Sequence, residues 1–294
     1  MFELSRKLRL RTIASIPLLL AVLLAAGCAP LTIYNALAPA DFGGALVRAD
    51  IAYGDHARQK LDVYAPEAGK SAAPVVVVFY GGSWNSGSKA DYAFLGKALA
   101  AKGFVTVIAD YRLVPEVRFP AFLDDCARAT LWAHKNARQF GGDPGRLFLL
   151  GHSAGAYNAV MVALDGRFLR ALGSDSSIIR GVAALAGPYD FLPLDADVAI
   201  AAFGREKDLN ATQPINFASH AAPAMLLATG DDDTTVYPRN TYSLADKLKR
   251  FGAPVVVRSY AGVGHVEILL ALSLPFRAKA PVLDDVASFI NGRR

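Results

Sequence analysis

Two stretches of this chain are apolar and rich in β-branched residues over the whole length of a strand. They read PVVVVFY at 74–80 and FVTVIADY at 104–111. A strand with one face in water alternates apolar and polar residues, whereas an uninterrupted apolar run needs cover on both faces, as in a parallel sheet. The segment DYAFLGKALAAKG between them, at 91–103, has helical spacing and ends at a glycine. The pattern therefore predicts a strand–helix–strand crossover within a parallel sheet.

Predicted strands and helices continue to alternate along the rest of the chain. Strands are predicted at 146–151, 181–187, 224–230 and 254–262, and helices at 120–140, from about 154, at 238–251 and at 282–291. The stretch KLDVYAP at 60–66 alternates in polarity and predicts an edge strand. This order predicts an α/β fold, a mostly parallel twisted sheet with helices on both faces. The irregular segment 188–222 is predicted to form a small cap.

The amino-terminal segment has the composition of an export signal. Four basic residues precede an apolar stretch from Ile13 to Ala26, and Gly27 and Cys28 follow it. A basic region, a short apolar region and small residues before a cut site are typical of a secretory signal, and the stretch is shorter than the about 20 residues that a membrane-spanning helix needs. The sequence ending in Cys28 resembles a bacterial lipobox, which implies cleavage before Cys28 and lipid on that residue. The alternative is an ordinary signal peptide with a chance cysteine.

These features predict three parts of the chain. We expect a lipoprotein signal peptide at 1–27, a lipidated tether at 28–45 and one domain at 46–294. The protein would then be exported and anchored to a membrane of the bacterial cell envelope through Cys28. Ala29 follows the cysteine, and in Gram-negative lipoproteins a residue other than Asp there implies the periplasmic face of the outer membrane.

Charge and cysteine content exclude two classes of protein. The full chain carries 31 basic and 26 acidic residues, and without the first 27 residues, which hold four basic residues and Glu3, 27 and 25 remain. No run of Lys or Arg indicates nucleic-acid binding. If Cys28 carries lipid, Cys126 has no intramolecular partner, which excludes a fold stapled by disulfides.

The pentapeptide GHSAG at 151–155 lies where a predicted buried strand passes into a predicted helix. G-x-S-x-G in this context is typical of a nucleophile elbow, in which the glycines let strand and helix pass closely and the serine hydroxyl stands above the sheet edge. Such a hydroxyl needs a base to become nucleophilic. Of the five histidines, only His265 follows a strand in a glycine-rich loop at that edge. The alternative role for Ser153 is that of a helix N-cap.

An acid to orient the histidine is expected after the strand at 224–230. Three adjacent residues, Asp231, Asp232 and Asp233, follow it. The chain order Ser, Asp, His suits a hydrolase elbow, and all three aspartates satisfy it. The residues alone leave this choice open.

Several segments resemble the carboxylesterase branch of the α/β-hydrolase superfamily, which includes hormone-sensitive-lipase-like and kynurenine-formamidase-like enzymes. Examples are VVVVFYGGSWNSGSK, RLFLLGHSAGA, LLATGDDDTTVYP and GVGHVEI, and the resemblance extends over about residues 49–291. In that family the acid lies in the pattern G-x-x-D-x-x-V. Gly230, Asp233 and Val236 match it. The resemblance therefore implies that Asp233 is the acid, with Asp232 the next candidate.

The same family carries an H-G-G-x-W or H-G-G-G element after the third strand, whose amides stabilise an oxyanion. Here residues 80–84 read YGGSW, so the glycines and tryptophan are kept and a tyrosine replaces the histidine. Because main-chain amides bind the oxyanion in that family, the resemblance still implies an oxyanion hole formed by Gly82, Ser83 and Ala154. The replacement leaves the anchoring of the loop open.

The resemblance implies a serine hydrolase that cleaves carboxylic esters with Ser153, His265 and Asp233. It implies no metal or cofactor, and its binding partners would be a small-molecule ester and, through the lipid anchor, a membrane. An arylformamidase or another amidase of the same fold, and a non-catalytic envelope protein, are the alternatives. Four apolar residues of the cap either form an acyl or aryl pocket or pack the cap onto the sheet: Phe191, Leu192, Ile200 and Phe203.

Overall fold

The computed structural model of the chain describes residues 30–69 and 71–292. The predicted signal peptide at 1–27 and Cys28 lie outside these residues. The chain falls into two compact units that are divided between Ala38 and Pro39. In the first unit, Pro30–Leu37 forms helix α1. Within the ranges that the structure describes, none of the helices combines the length and the apolar character needed to cross a membrane.

One sheet organises the second unit. Its strands are β1 (Gly44–Ala52), β2 (Lys60–Pro66), β3 (Ala73–Phe79), β4 (Val105–Ala109), β5 (Gly142–His152), β6 (Ile179–Leu185), β7 (Ala224–Gly230) and β8 (Val255–Tyr260). They lie in the order β1-β2-β4-β3-β5-β6-β7-β8. Pairing is antiparallel where β2 meets β1 and β4 and parallel from β4 to β8. The predicted mostly parallel α/β sheet is confirmed.

Helices connect the strands. They are α2 (Ala93–Ala101), α3 (Ala121–Asn136), α4 (Ala154–Leu164), α5 (Arg167–Arg170), α6 (Asp197–Phe203), α7 (Arg239–Arg250), α8 (His265–Leu270) and α9 (Val282–Ile290). Short 3₁₀ turns lie at Lys89–Tyr92, Ala137–Phe140, Ser176–Ile178, Leu209–Thr212, Pro214–Phe217 and Leu274–Phe276. Every residue of β3 and of β4 is buried, as the uninterrupted apolar runs predict.

The predicted edge strand at 60–66 is an interior strand in the structure. β2 lies between β1 and β4, and β1 takes the edge. The alternation of apolar and polar residues suggested a half-exposed strand because it includes Asp62. In the structure Asp62 is buried, and the Lys89 ammonium lies 2.8 Å from its carboxylate. A buried charge is tolerated when it is paired in this way.

Residues 39–45, part of the predicted tether at 28–45, belong to the second unit. Two features tie this stretch to the second unit. Asp41 pairs with the Arg277 guanidinium at 2.8 Å. Gly44 lies so close to α2 that a Cβ there would overlap its backbone. The glycines of this segment suggested a linker, but Gly44 serves a close approach of backbone to backbone.

Backbones pack very closely at the junction of β5 with α4. A Cβ on Gly155 would overlap the carbonyl oxygens of Phe79 and Tyr80, and one on Gly151 would overlap the backbone of Gly155. Interiors are packed to near crystalline density, so backbone atoms here have no room to move aside. Both glycines are therefore required by packing as well as by the turn.

We expect Gly155→Ala to lower the free energy of unfolding by about 3 kcal/mol, because the added methyl group meets backbone oxygens that cannot rotate away. For a domain of this size that corresponds to a fall in Tm of about 6–12 °C. The matched control is Gly145→Ala, where the nearest atom to a new Cβ is a side-chain oxygen of Asp143 at 3.3 Å. Thermal unfolding followed by circular dichroism measures both, and an equal Tm for the two variants would contradict the packing argument.

Candidate active site

Ser153 lies at the turn between β5 and α4 in a backbone conformation that non-glycine residues rarely adopt. Its φ is 56° and its ψ −125°. Such strain persists only where the surroundings fix it, and here the Ser153 amide donates to the Leu185 carbonyl of β6 at 2.9 Å. Ser153 occupies the N-cap position of α4, but its side chain makes no capping hydrogen bond. The N-cap interpretation therefore does not account for the hydroxyl.

The Ser153 hydroxyl belongs to a chain of hydrogen bonds that leads into the sheet edge. Its Oγ lies 2.9 Å from Nε2 of His265, and Nδ1 of His265 lies 2.8 Å from Oδ2 of Asp233. A carboxylate can only accept, so in neutral His265 the proton is on Nδ1 and the bare Nε2 accepts from the serine. This is the tautomer in which a histidine can take a proton from a hydroxyl.

His265 and Asp233 are brought to this edge by the ends of β8 and β7. His265 is the first residue of α8, and the amide just before it, of Gly264, donates to the Glu267 carboxylate at 2.7 Å. The loop before His265 also packs on the end of β7, where a Cβ on Gly230 would overlap the Val263 carbonyl. The glycine of the G-x-x-D-x-x-V pattern thus permits the two loops to approach each other.

Asp233 is held as an ionised acceptor. Its side chain has no exposed surface, and Oδ1 accepts hydrogen bonds from the amides of Thr235 at 2.9 Å and Val236 at 2.8 Å. Burial by itself would raise the pKa of Asp233, but the hydrogen bond and charge of His265, together with the two amides, outweigh it and lower the pKa below its ordinary value. The carboxylate is therefore charged at neutral pH.

The other two aspartates of the loop point elsewhere. The Asp231 carboxylate accepts from the hydroxyl of Ser259 at the surface, and Asp232 is exposed. Only Asp233, among the three, contacts His265. The tertiary structure thus makes the choice that the residues alone left open.

The glycine loop, which we define as residues 80–86, lies directly against the serine turn. A Cβ on Gly81 would be 3.0 Å from the Cβ of Ser153. The backbone is left-handed at Gly82 (φ 124°), Ser83 (φ 50°) and Trp84 (φ 59°). In the part of the chain that the structure describes, the amides of Gly82 and Ser83 donate no hydrogen bond to protein.

The third predicted amide, of Ala154, opens helix α4. The first amides of a helix have no acceptor within the helix, so this N–H is available to a ligand beside Ser153. The three amides predicted for an oxyanion therefore belong to the two segments that meet at Ser153. Main-chain amides of this kind are the donors that oxyanion holes use.

Tyr80, where the family pattern has a histidine, anchors the glycine loop by a set of contacts that the sequence did not indicate. Its Oη accepts from the Arg58 guanidinium at 2.6 Å. Its ring stacks on Tyr111 with centroids 4.6 Å apart, and the Tyr111 hydroxyl donates to the Tyr80 carbonyl at 2.9 Å. Arg58 also donates to the carbonyl of Gly87, the residue just after the loop, at 2.9 Å. Tyr111 follows a strand end and could have been suspected, whereas Arg58 lies in a loop without any signal.

The cap segment packs on the glycine loop through aromatic side chains. Phe203 is fully buried and meets the Trp84 ring edge-on at 4.8 Å, and Phe191 stacks on Trp84 at 6.5 Å. Ile200, in contrast, is 49% exposed. Phe203 thus packs the cap onto the loop, whereas Phe191 is only partly buried.

The remaining histidines, apart from His152, have contacts away from Ser153. His56 pairs with Glu116 at 2.6 Å, His134 contacts the Pro144 carbonyl at 3.2 Å, and His220 is exposed. Across residues 30–69 and 71–292, no group of three or more His, Cys, Asp or Glu side chains is arranged to hold a metal ion.

The chain is similar in sequence to plant and bacterial esterases. Isoprenylcysteine alpha-carbonyl methylesterase ICME of Arabidopsis thaliana is 28% identical over 267 residues, which is 83% of this chain and 62% of that protein. Esterase LipC of Mycobacterium tuberculosis is 30% identical over 240 residues, or 74% of this chain and 59% of that protein. The chain thus spans somewhat less than two thirds of the length of these curated relatives.

Among solved structures, esterase B from Lactobacillus rhamnosis has the same fold. It superposes with a TM-score of 0.78 at 18% identity and covers 95% of both chains. The profile of the BD-FAE family matches residues 61–248, which contain Ser153, Asp233 and the glycine loop. The chain therefore belongs to the BD-FAE family, within the carboxylesterase branch of the α/β-hydrolase superfamily.

Proposed function

We propose that this protein is a serine hydrolase that cleaves small-molecule carboxylic esters through an acyl-enzyme on Ser153. The observation that carries the proposal is the continuous hydrogen-bond chain from Ser153 Oγ through His265 to Asp233, with separations of 2.9 and 2.8 Å. The esterase names of its relatives support the reaction class.

In the proposed first step, Ser153 Oγ attacks the acyl carbon of the ester while its proton passes to Nε2 of His265. The carbonyl oxygen becomes an oxyanion, which the amides of Gly82, Ser83 and Ala154 stabilise. Donors that are already oriented before the reaction stabilise such charge most effectively, and loss of one typically costs on the order of 10²–10³ in turnover. The left-handed backbone at Gly82 and Ser83 and the start of helix α4 at Ala154 would fix the orientation of these amides.

Collapse of the tetrahedral intermediate expels the alcohol oxygen, which takes the proton from Nε2 of His265. Water then attacks the acyl-enzyme with His265 as the base, the carboxylic acid leaves, and the serine hydroxyl is restored. Asp233 stays ionised throughout, because its lowered pKa keeps the proton on the imidazole. Its part is to fix the tautomer and to stabilise the imidazolium.

The proposal predicts that Ser153→Ala abolishes covalent labelling by a fluorophosphonate probe and hydrolysis of p-nitrophenyl acetate, since the attacking oxygen is gone. The Tm should stay near that of the wild type, because the Ser153 side chain makes no capping bond to α4. Labelling at the wild-type rate in the alanine variant would mean that another residue is the nucleophile.

A panel of p-nitrophenyl esters of rising chain length, run beside N-formylkynurenine, distinguishes ester from formamide preference in the wild type.

We expect Asp233→Asn to lower ester turnover by about 10⁴-fold, the loss that the wrong histidine tautomer causes in a serine protease. The controls are Asp231→Asn and Asp232→Asn, whose carboxylates do not reach His265 and which should stay within a few-fold of the wild type. Initial rates with one chromogenic ester are sufficient. A severe loss confined to Asp232→Asn would mean that Asp232, not Asp233, orients His265. Near-wild-type turnover in all three variants would mean that the orienting acid lies outside this loop.

We also propose that the protein is anchored in the bacterial cell envelope by lipid on Cys28. The support is the order of the basic residues, the apolar stretch at 13–26 and the small residues before Cys28. A single acyl chain binds membranes weakly, so more than one chain on the cysteine would be needed for stable anchoring.

The anchor predicts that Cys28→Ser, or treatment of a bacterial host with globomycin, converts the membrane-bound form into a precursor or a soluble form. Cell fractionation followed by mass spectrometry of the amino terminus measures this. The matched control is Cys126→Ser, because Cys126 is a buried thiol in the folded unit. Mature protein that is free in the periplasm with an unmodified Cys28 would contradict the anchor.

A further inference from the structure

A second, buried chain of hydrogen bonds lies behind Ser153, and the proposed reaction does not use it. The Gly81 amide lies 3.0 Å from the Tyr92 hydroxyl, that hydroxyl lies 3.0 Å from Nδ1 of His152, and Nε2 of His152 lies 2.9 Å from the carbonyl oxygen of His265. Tyr92 and His152 are 3% and 4% exposed, so water does not compete for these bonds.

The donors of this chain can be arranged in only one way. A carbonyl oxygen only accepts, so Nε2 of His152 carries the proton and its Nδ1 is a bare acceptor. The Tyr92 hydroxyl therefore donates its hydrogen to His152 and uses a lone pair to accept from the Gly81 amide. Burial and the neighbouring His265 lower the pKa of His152 to about 3, which keeps this imidazole neutral near pH 7.

This chain ends at the two loops that approach Ser153 from opposite sides. Gly81 immediately precedes Gly82 and Ser83, the amides proposed to bind the oxyanion. The His265 carbonyl belongs to the residue whose imidazole faces Ser153, and His152 is the neighbour of Ser153 in sequence. The Gly81 amide is occupied by Tyr92, which leaves the following two amides for the substrate oxygen.

The Tyr92 end of the chain is fixed independently of any substrate. Tyr92 closes the 3₁₀ turn Lys89–Tyr92, whose start is held by the Ser88 amide donating to the Asp91 carboxylate at 2.9 Å. The Lys89 amide donates to the Asp110 carboxylate at the end of β4, at 2.7 Å. The hydroxyl of Tyr92 is thus presented from a rigid turn.

We propose that Tyr92 and His152 are positioning residues that hold the glycine loop and the His265 loop in register with Ser153. This inference rests on the proposed ester hydrolysis. It assigns to Tyr92 and His152 an effect on the rate of acyl transfer, without contact with the substrate. Displacements of about 1 Å in an active site can lower turnover on the order of 10²-fold.

The first test is Tyr92→Phe, which removes the hydroxyl and keeps the ring. We expect kcat for p-nitrophenyl acetate and the rate of fluorophosphonate labelling to fall by about 10- to 100-fold, with KM within about two-fold of the wild type. The matched control is Tyr64→Phe, because Tyr64 is a buried tyrosine of β2 whose ring packs on Gly96; its kcat should be unchanged. A kcat of Tyr92→Phe within two-fold of the wild type, or a rise in KM alone, would overturn the inference.

A second pair of variants separates positioning from simple packing. Glutamine at 152 can both donate to the His265 carbonyl and accept from Tyr92, whereas leucine can do neither. We expect His152→Gln to retain several-fold more kcat than His152→Leu, and Tyr92→Phe to add little to His152→Leu, because groups in one network are not additive. Equal losses for glutamine and leucine, or fully additive losses, would overturn the inference.

The same assays distinguish this inference from the proposed function. Wild-type protein that neither hydrolyses esters nor labels would overturn the proposed function and this inference with it. Active wild-type protein with an unaffected Tyr92→Phe variant would overturn the positioning role alone.

Discussion

The strained turn at Ser153 sets the packing of the segments around it. With φ at 56° and ψ at −125°, the serine lifts its hydroxyl out of the sheet, and the chain must turn at once from β5 into α4. The turn fits only because Gly151 and Gly155 bring the backbones of β5, α4 and β3 into direct contact. Strain of this kind costs on the order of 1–3 kcal/mol, and the buried sheet around it supplies the stability that offsets this cost.

Two chains of hydrogen bonds meet at His265, and in each chain the donors and acceptors can be assigned in only one way. Asp233 orients its imidazole from one side, at 2.8 Å, and His152 holds its carbonyl from the other, at 2.9 Å. A side chain held only at its ring can still move with its backbone. His265 is held both at its ring and at its main-chain carbonyl, so it has little freedom left. Preorganisation of this kind is what allows a site to stabilise charge without rearranging during the reaction.

The glycine loop explains how the family pattern tolerates a tyrosine in place of its histidine. The groups proposed to bind the substrate oxygen are main-chain amides, so the residue at 80 would have only to hold the loop. Tyr80 does so through Arg58 at 2.6 Å and through its stack on Tyr111. The Arg58 guanidinium fits this task because it presents several donors in a fixed plane, and it reaches both Tyr80 and the Gly87 carbonyl. In this chain a tyrosine with an arginine partner thus holds the loop.

The α/β fold, most of the strand order along the chain, and the positions of Ser153 and His265 at strand ends could be predicted from the sequence. These follow from local rules, since continuous apolar runs need cover on both faces and G-x-S-x-G between strand and helix marks an elbow. The place of β2 inside the sheet did not follow, because the ion pair that buries Asp62 joins residues 27 positions apart in sequence.

The folded chain shows which of three adjacent aspartates contacts His265 and which side chains hold the glycine loop. Chain order alone does not distinguish Asp231, Asp232 and Asp233; the family pattern pointed to Asp233, and the loop after β7 brings that carboxylate to His265. Arg58, Tyr92 and His152 act through contacts with segments distant in sequence. Periodicity and motifs carry information about residues that are close together in the sequence. A hydrogen bond between distant segments depends on distance and direction in space, which only the folded chain defines.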